Sequence, residues 1–403
     1  MTPDSATRRR ASVVLLVLGQ STQTLLLGGL GLFLPLIRRD LGVSYAQAGA
    51  LAGTATLVYA ACQLPSGYLS DRLGARRLFL AGLVGSNTFT LVFTRAVTYP
   101  QALLAQVGSG LFRGLVFTPG MLLMTGLFSR ERRATAMGLF VAGGLTTNVA
   151  LNLVGPLLIG RLGWRGVLTL AASVGLIVSA LVWAVVPDRS SPGRSVSLRR
   201  LPALIRQRPL RWLGVIQFVR LGVQHGLTVW LPTYLVLNKG FTLTHAGLLL
   251  GVATVLTAPA NLFGGYLSDR SGRPMAVIIA SLAILSTSLA LTVVAARPAV
   301  LAPLVALSMV ATQLYFGPLF ALPLHLVEPG AAGTATGLAN LWANLGGFCS
   351  VLALGLVRDA TGSLDAGLIV LALLAALGLA TAAGLRHRLP VLDHAPTVPV
   401  QAG

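Results

Sequence analysis

Apolar runs long enough to cross a membrane recur along nearly the whole chain, and this pattern restricts the fold more than any single motif does. A bilayer core about 30 Å thick is crossed by about 20 apolar residues in a helix. Windows of roughly 19 residues mark about twelve such runs. Six lie at 12–37, 45–68, 78–94, 102–128, 134–159 and 167–186; six more lie at 212–237, 245–266, 275–296, 300–327, 333–357 and 368–385. Composition agrees, with 55% of residues hydrophobic and only 10% charged, where a soluble domain has about a quarter charged. The expected fold is an all-α membrane protein of twelve transmembrane helices in two pseudo-symmetric six-helix bundles. The bundles are expected at 1–186 and 212–403, joined by a Pro-, Ser- and Arg-rich cytoplasmic linker at 187–211.

Charge sets the orientation. The chain carries a net +20, and of its 30 basic residues only Lys239 is lysine. Twenty arginines fall in one set of loops and the tails; the opposite loops hold eight basic residues. The positive-inside rule therefore places both termini and the linker in the cytoplasm, with the protein in the cell (inner) membrane. It also accounts for the +20 without nucleic acid, since no aromatic residues interleave with the basic ones as a stacking platform requires. The first apolar run is too long for a cleaved signal peptide and reads as a retained helix. Cys62 and Cys349 sit inside apolar runs, with neither a disulfide framework nor zinc spacing.

One short phrase occurs twice. Gly67-Tyr-Leu-Ser-Asp71-Arg72-Leu-Gly74-Ala-Arg76-Arg77 is echoed by Gly265-Tyr-Leu-Ser-Asp269-Arg270-Ser-Gly272-Arg273, with the two aspartates 198 residues apart. Each copy ends an apolar run and opens a basic loop, the mark of a duplicated half. Both copies resemble the signature loop of the major facilitator superfamily, between helices 2 and 3 and between helices 8 and 9. Gly155-Pro156-x-x-x-Gly160 followed by Gly163-Trp164-Arg165 is similar to the end of helix 5 and its outer loop. Gly333-Thr-Ala-Thr-Gly337 with Asn340, Asn344 and Gly346-Gly347 is similar to helix 11 of organic-anion and sugar-phosphate-type members. The resemblance implies alternating access by a monomer, with Gly67, Asp71, Arg72, Gly74, Arg76, Asp269, Arg270 and Gly272 as gating residues. It also implies that Asp71 meets the N-terminus of helix 11 at Gly333-Thr334, where backbone N–H groups are unpaired.

Ionisable groups within spans are costly and mark function. Arg113 lies midway along span 4 and Arg220 about nine residues into span 7. The resemblance makes spans 1, 4, 7 and 10 the lining of a central cavity, and there the polar residues gather: Gln20, Gln23, Arg113, Gln217, Arg220, Gln224, His225, Gln313 and Tyr315. Gln217, Arg220 and Gln224 share one helix face at i, i+3, i+7. Asn148 with Asn152, and Asn340 with Asn344, form matched stripes in spans 5 and 11. All ten acidic residues lie in tails, loops or span ends, so no mid-membrane carboxylate neutralises either arginine. An anion is the natural partner of such guanidinium groups. The candidate substrate-binding residues are Arg113, Arg220, Gln20, Gln23, Gln217, Gln224, Gln313, Tyr315 and Asn344.

The chain departs from the family pattern in carrying Gln106 where members have an arginine early in helix 4, and only glutamines in helix 1. His225, and His325 with Glu328 one turn apart at the inner end of span 10, are the candidates for proton coupling; anion exchange is the alternative. The expected function is secondary transport of a small, organic anion. The alternative is a proton-coupled exporter of drugs or lipophilic compounds. A sensor of the same fold has no added cytoplasmic domain to speak for it. Nothing forms a nucleophile–base set, metal site or P-loop, so no enzyme activity and no cofactor are expected.

Overall fold

The computed structural model describes residues 3–128, 133–144, 146–187, 206–327 and 332–388. Most of the linker lies outside that set, as do Glu328 and the side chains of Asp71, Thr334 and His325. The described residues form fifteen α-helices and no strand. In the first half these are α1 (Pro3–Thr22), α2 (Leu25–Leu41), α3 (Tyr45–Leu73), α4 (Ala75–Arg95), α5 (Tyr99–Gly114), α6 (Phe117–Gly126), α7 (Arg133–Gly143) and α8 (Thr146–Val185). In the second they are α9 (Arg208–Leu237), α10 (Leu243–Ser271), α11 (Pro274–Val294), α12 (Pro298–Leu314), α13 (Phe316–Leu326), α14 (Ala332–Thr361) and α15 (Leu364–Arg388).

The fifteen described helices outnumber the twelve runs expected from the sequence because several runs are broken. The pairs α1–α2, α5–α6 and α12–α13 each share one span, interrupted at Gln23-Thr24, Leu115-Val116 and Tyr315. The 40-residue α8 contains Gly163 at φ 62°, ψ 173°, which divides it into two crossings preceded by α7. Only glycine occupies that backbone region without strain. Gly163→Ala is therefore expected to destabilise the protein by about 1–3 kcal/mol, read as a lower melting temperature in detergent. Beyond the bend, Trp164 Nε1 donates to Asp40 Oδ2 at 2.8 Å and Arg165 pairs with the same carboxylate. These contacts tie the end of α2 to the start of the sixth crossing.

Both motif copies end a helix on a glycine of positive φ. Leu73 and Ser271 end their helices, and Gly74 (φ 87°) and Gly272 (φ 61°) take the left-handed turn that a Cβ resists. Two residues before each glycine, Arg72 covers the Tyr68 ring at 4.7 Å and Arg270 donates to the Tyr266 hydroxyl at 2.6 Å. Arg76 donates to the Trp183 carbonyl, fixing the start of α4 to the end of α8. Asp269 and Arg270 are exposed.

The chain divides into two compact units. Unit 1 holds Met1–Val196 with Thr228–Gly251 and Val351–Gly362; unit 2 holds Ser197–Leu227, Val252–Ser350 and Ser363–Gly403. The core of unit 1 gathers Leu16, Phe79, Leu83, Met124, Phe140 and Val182 from α1, α4, α6, α7 and α8, with Val116 from the break before α6. In unit 2, α11 is held to α15 by Ser286 Oγ donating to the Ala372 carbonyl (3.0 Å) and to α12 by Ser288 against Ser308 (2.8 Å). The late part of α8 and α15 each show a bare apolar stripe. Leu170, Val174, Ile177 and Leu181 are exposed along the late part of α8, as are Ile369, Leu373 and Leu377 along α15. These stripes have the helical period and the chemistry of a hydrocarbon-facing surface.

Two buried arginine clusters

In unit 1, Gly110 and Gly114 lie one turn apart on α5. A Cβ on Gly110 would stand 2.5 Å from the Ala55 carbonyl oxygen, and one on Gly114 would collide with Cys62. Small residues at this spacing let two helices touch backbone to backbone, so α5 lies against α3. That approach brings the Arg113 guanidinium to 5.3 Å from the centre of the Tyr59 ring, and Gln63 hydrogen-bonds the Tyr59 hydroxyl. Arg113 is only 5% exposed, and its Nε and Nη1 have no hydrogen-bond partner among the described residues. Gln106, nearly two turns earlier, is buried with both amide atoms unpaired among the same residues. The helix breaks just after Arg113, where the Val116 N–H turns back to the Arg113 carbonyl at 3.0 Å.

Gln20 lies in the last turn of α1 and Gln23 in the break that follows, both buried. That break is stitched to the one between α7 and α8: Ser21 Oγ donates to Thr147 Oγ1 at 2.6 Å, and Thr24 Oγ1 to the Gly144 carbonyl at 3.2 Å. Asn152 Nδ2 donates to the Asn148 carbonyl at 2.8 Å.

In unit 2, Arg220 Nε donates to Gln217 Oε1 at 2.9 Å and Nη1 to Gln224 Oε1 at 3.4 Å. The i, i+3, i+7 face is thus a hydrogen-bonded set, as its spacing predicts. Its guanidinium also covers two phenyl rings, Phe316 at 4.7 Å and Phe320 at 5.3 Å, which lie 4.7 Å from each other. A cation over aromatic faces in a desolvated place gains up to about 2 kcal/mol. Tyr315 is fully buried beside this group, and its hydroxyl and the Gln217 Nε2 have no partner among the described residues. Gln313 is buried at the end of α12. Asn344 Nδ2 donates to the Asn340 carbonyl at 2.8 Å. The His225 ring packs on Gly347, where a Cβ would lie 2.7 Å from Nδ1.

The two clusters share a composition: one buried arginine, a tyrosine, glutamines, and no carboxylate in ion-pair reach. The Asp40–Arg165 ion pair lies outside both clusters. Tyr59, Phe316 and Phe320 were not singled out from the sequence, because an aromatic in an apolar run carries no signal of its own. Their signal lies in what they face. Three of the four spans expected to line a cavity are broken beside their polar residues. Breaks of this kind free backbone groups at membrane depth and occur where irregular chain lines a cavity or is buried in protein.

Comparison with known proteins agrees with this architecture. A probable nitrate/nitrite antiporter of Thermus thermophilus is 30% identical over 257 residues, which is 59% of this chain and 56% of that protein. This chain therefore spans a little over half of that relative. A probable nitrate transporter of Staphylococcus haemolyticus is 25% identical, covering 86% of this chain and 89% of its own length. A nitrite extrusion protein of Bacillus subtilis is 26% identical over 83% and 84%. Among solved structures, the inward-facing, unoccupied form of a bacterial homologue of the human lysosomal transporter Spinster superposes with a TM-score of 0.83. It covers 98% of this chain and 100% of its own at 14% identity, a likeness of fold. The Major Facilitator Superfamily family model matches residues 16–351. With that match across most of its length, the chain belongs to the Major Facilitator Superfamily.

Proposed function

We propose that this protein moves a small anion of the nitrate and nitrite kind across the cell membrane by alternating access, with Arg113 and Arg220 as its principal ligands. The observation that carries the reading is a buried arginine in each cluster with no carboxylate to neutralise it. A planar oxyanion accepts two parallel hydrogen bonds from a guanidinium, which a lysine ammonium cannot supply. Gln217 and Gln224 orient the Arg220 fork, and the two phenyl rings shield one face of it from water. The unpaired donors, Arg113 Nε and Nη1, Gln217 Nε2 and the Tyr315 hydroxyl, are the complement of an acceptor-rich ligand. Gln20, Gln23, Gln313 and Asn344 complete the binding set. The relatives described above are named for nitrate and nitrite, which supports an inorganic anion over an organic one.

In this reading residues 1–186 and 212–403 are the two moving halves, 187–211 is their cytoplasmic link, and the monomer is the transport unit. Both motif loops gate the cytoplasmic side. Two arginines that cannot cross empty favour exchange of one anion for another. In proton symport, His225, His325 and Glu328 would carry the coupling.

Thermal shift of the full-length protein in detergent tests the reading, because a ligand that binds the folded state raises the melting temperature by mass action. Nitrate and nitrite are expected to stabilise the protein more than acetate, gluconate or a sugar phosphate, and Arg113→Ala to abolish the shift. Stabilisation by organic cations or lipophilic drugs alone, unchanged in Arg113→Ala, would overturn it in favour of an exporter.

A further inference from the structure

The first turn of α3 is held by a residue more than 300 positions away. Ser44 caps this helix: its Oγ accepts from the Gln47 N–H, and the Gln47 side chain accepts from the Ser44 N–H at 3.0 Å. The Ala48 N–H bonds the Ser44 carbonyl. That leaves two orphan donors of the helix start, Tyr45 and Ala46. Asp359, from the last turn of α14, takes both: Oδ1 accepts from the Tyr45 N–H at 3.0 Å and Oδ2 from the Ala46 N–H at 2.7 Å. A carboxylate on the positive end of a helix dipole, with two charge-assisted bonds, is a strong and directional contact.

Everything around it belongs to the same compact unit. The Tyr45 ring is covered by Arg38 at 4.2 Å and by Arg358 at 5.1 Å. Trp230 lies 6.1 Å from that ring and donates Nε1 to the Val351 carbonyl at 2.9 Å. Glycines make the backbones meet. A Cβ on Gly49 would stand 2.6 Å from the Val351 carbonyl oxygen, one on Gly247 would stand 2.5 Å from that of Asn152, and ones on Gly31 and Gly355 would strike the Thr228 and Tyr45 carbonyls. The segments of the second half drawn into unit 1, Thr228–Gly251 and Val351–Gly362, are the ones that carry these contacts.

The Asp359 contact lies at the start of α3, whereas Asp71 lies near its other end, 26 residues of helix or about 39 Å away. The arginine bias assigns the Asp71 end to the cytoplasm, so the Asp359 end faces outside. The motif resemblance sets the end of helix 2 against the first turn of helix 11. Asp359 does the reverse, from the end of helix 11 to the first turn of helix 2. We propose that Asp359 is the latch of the outer gate, an inverted counterpart of the signature-loop aspartate, and that the glycine contacts below it form the seal. The proposal rests on the alternating-access reading.

Spin labels at Val97 and Val300, each on the outer side by this orientation, would report the gate in a Cys62→Ala, Cys349→Ala background without any ligand. Asp359→Ala is expected to shift the ratio of closed to open outer distances by about tenfold toward open. Asp359→Asn, whose amide oxygen still accepts a bond, should shift it by a smaller factor. Both changes are at an exposed position and leave the packed glycines untouched. A wild-type distance distribution in both variants would overturn the latch. Failure of the anion reading would show separately, as absent nitrate stabilisation in wild-type protein, with the label distances still reporting on Asp359.

Discussion

Arg220→Ala is expected to weaken anion binding by about 100-fold or more, while leaving the ligand-free protein no less stable. Removing one partner of a buried, hydrogen-bonded charge contact costs about 2–5 kcal/mol of binding. The same substitution removes from the empty protein a buried charge that no carboxylate neutralises, which offsets the lost amide and ring contacts. The two effects separate a ligand from a strut. Titration of nitrate by calorimetry, with melting temperature read alongside, checks both. Arg220→Lys should recover little, because an ammonium cannot bond Gln217, Gln224 and an oxyanion in one plane. A steep fall in the melting temperature of ligand-free Arg220→Ala would make the arginine a packing residue and sink the prediction.

Gly264→Ala is expected to be the most damaging added methyl among the described glycines. Its Cβ would be driven into the Leu314 carbonyl, a backbone group on a neighbouring helix that cannot swing aside. Overpacking of this kind costs about 1–3 kcal/mol, occasionally more. Leu314 is the last residue of α12, and Tyr315 follows at the break, so the displacement reaches the Arg220 cluster. Melting temperature and nitrate affinity should fall together. Gly265→Ala, one residue on and inside the repeated motif, is the control. Nothing lies within 4 Å of a Cβ there, and the better helix propensity of alanine makes it neutral or mildly stabilising. Equal losses in the two variants would show that packing against Leu314 is not the cause.

The class of fold was legible in the chain because the bilayer imposes a length and a chemistry on each crossing that local composition reports directly. The duplicated phrase, its glycine turns, the mid-span arginines and the absence of acidic partners were equally local, and so was the Gln217–Arg220–Gln224 face, since i, i+3, i+7 spacing is fixed by the helix itself. Contacts between distant segments were not. Tyr59 reaches Arg113 only because Gly110 and Gly114 let α5 lie against α3, and Phe316 and Phe320 reach Arg220 across nearly a hundred residues. Asp359 read as one more loop carboxylate, and only the fold set it on the two donors that Ser44 leaves unpaired. Hydropathy and charge order residues along a helix and across a membrane; which helix faces meet is decided by side-chain shape, above all where glycine allows backbones to touch.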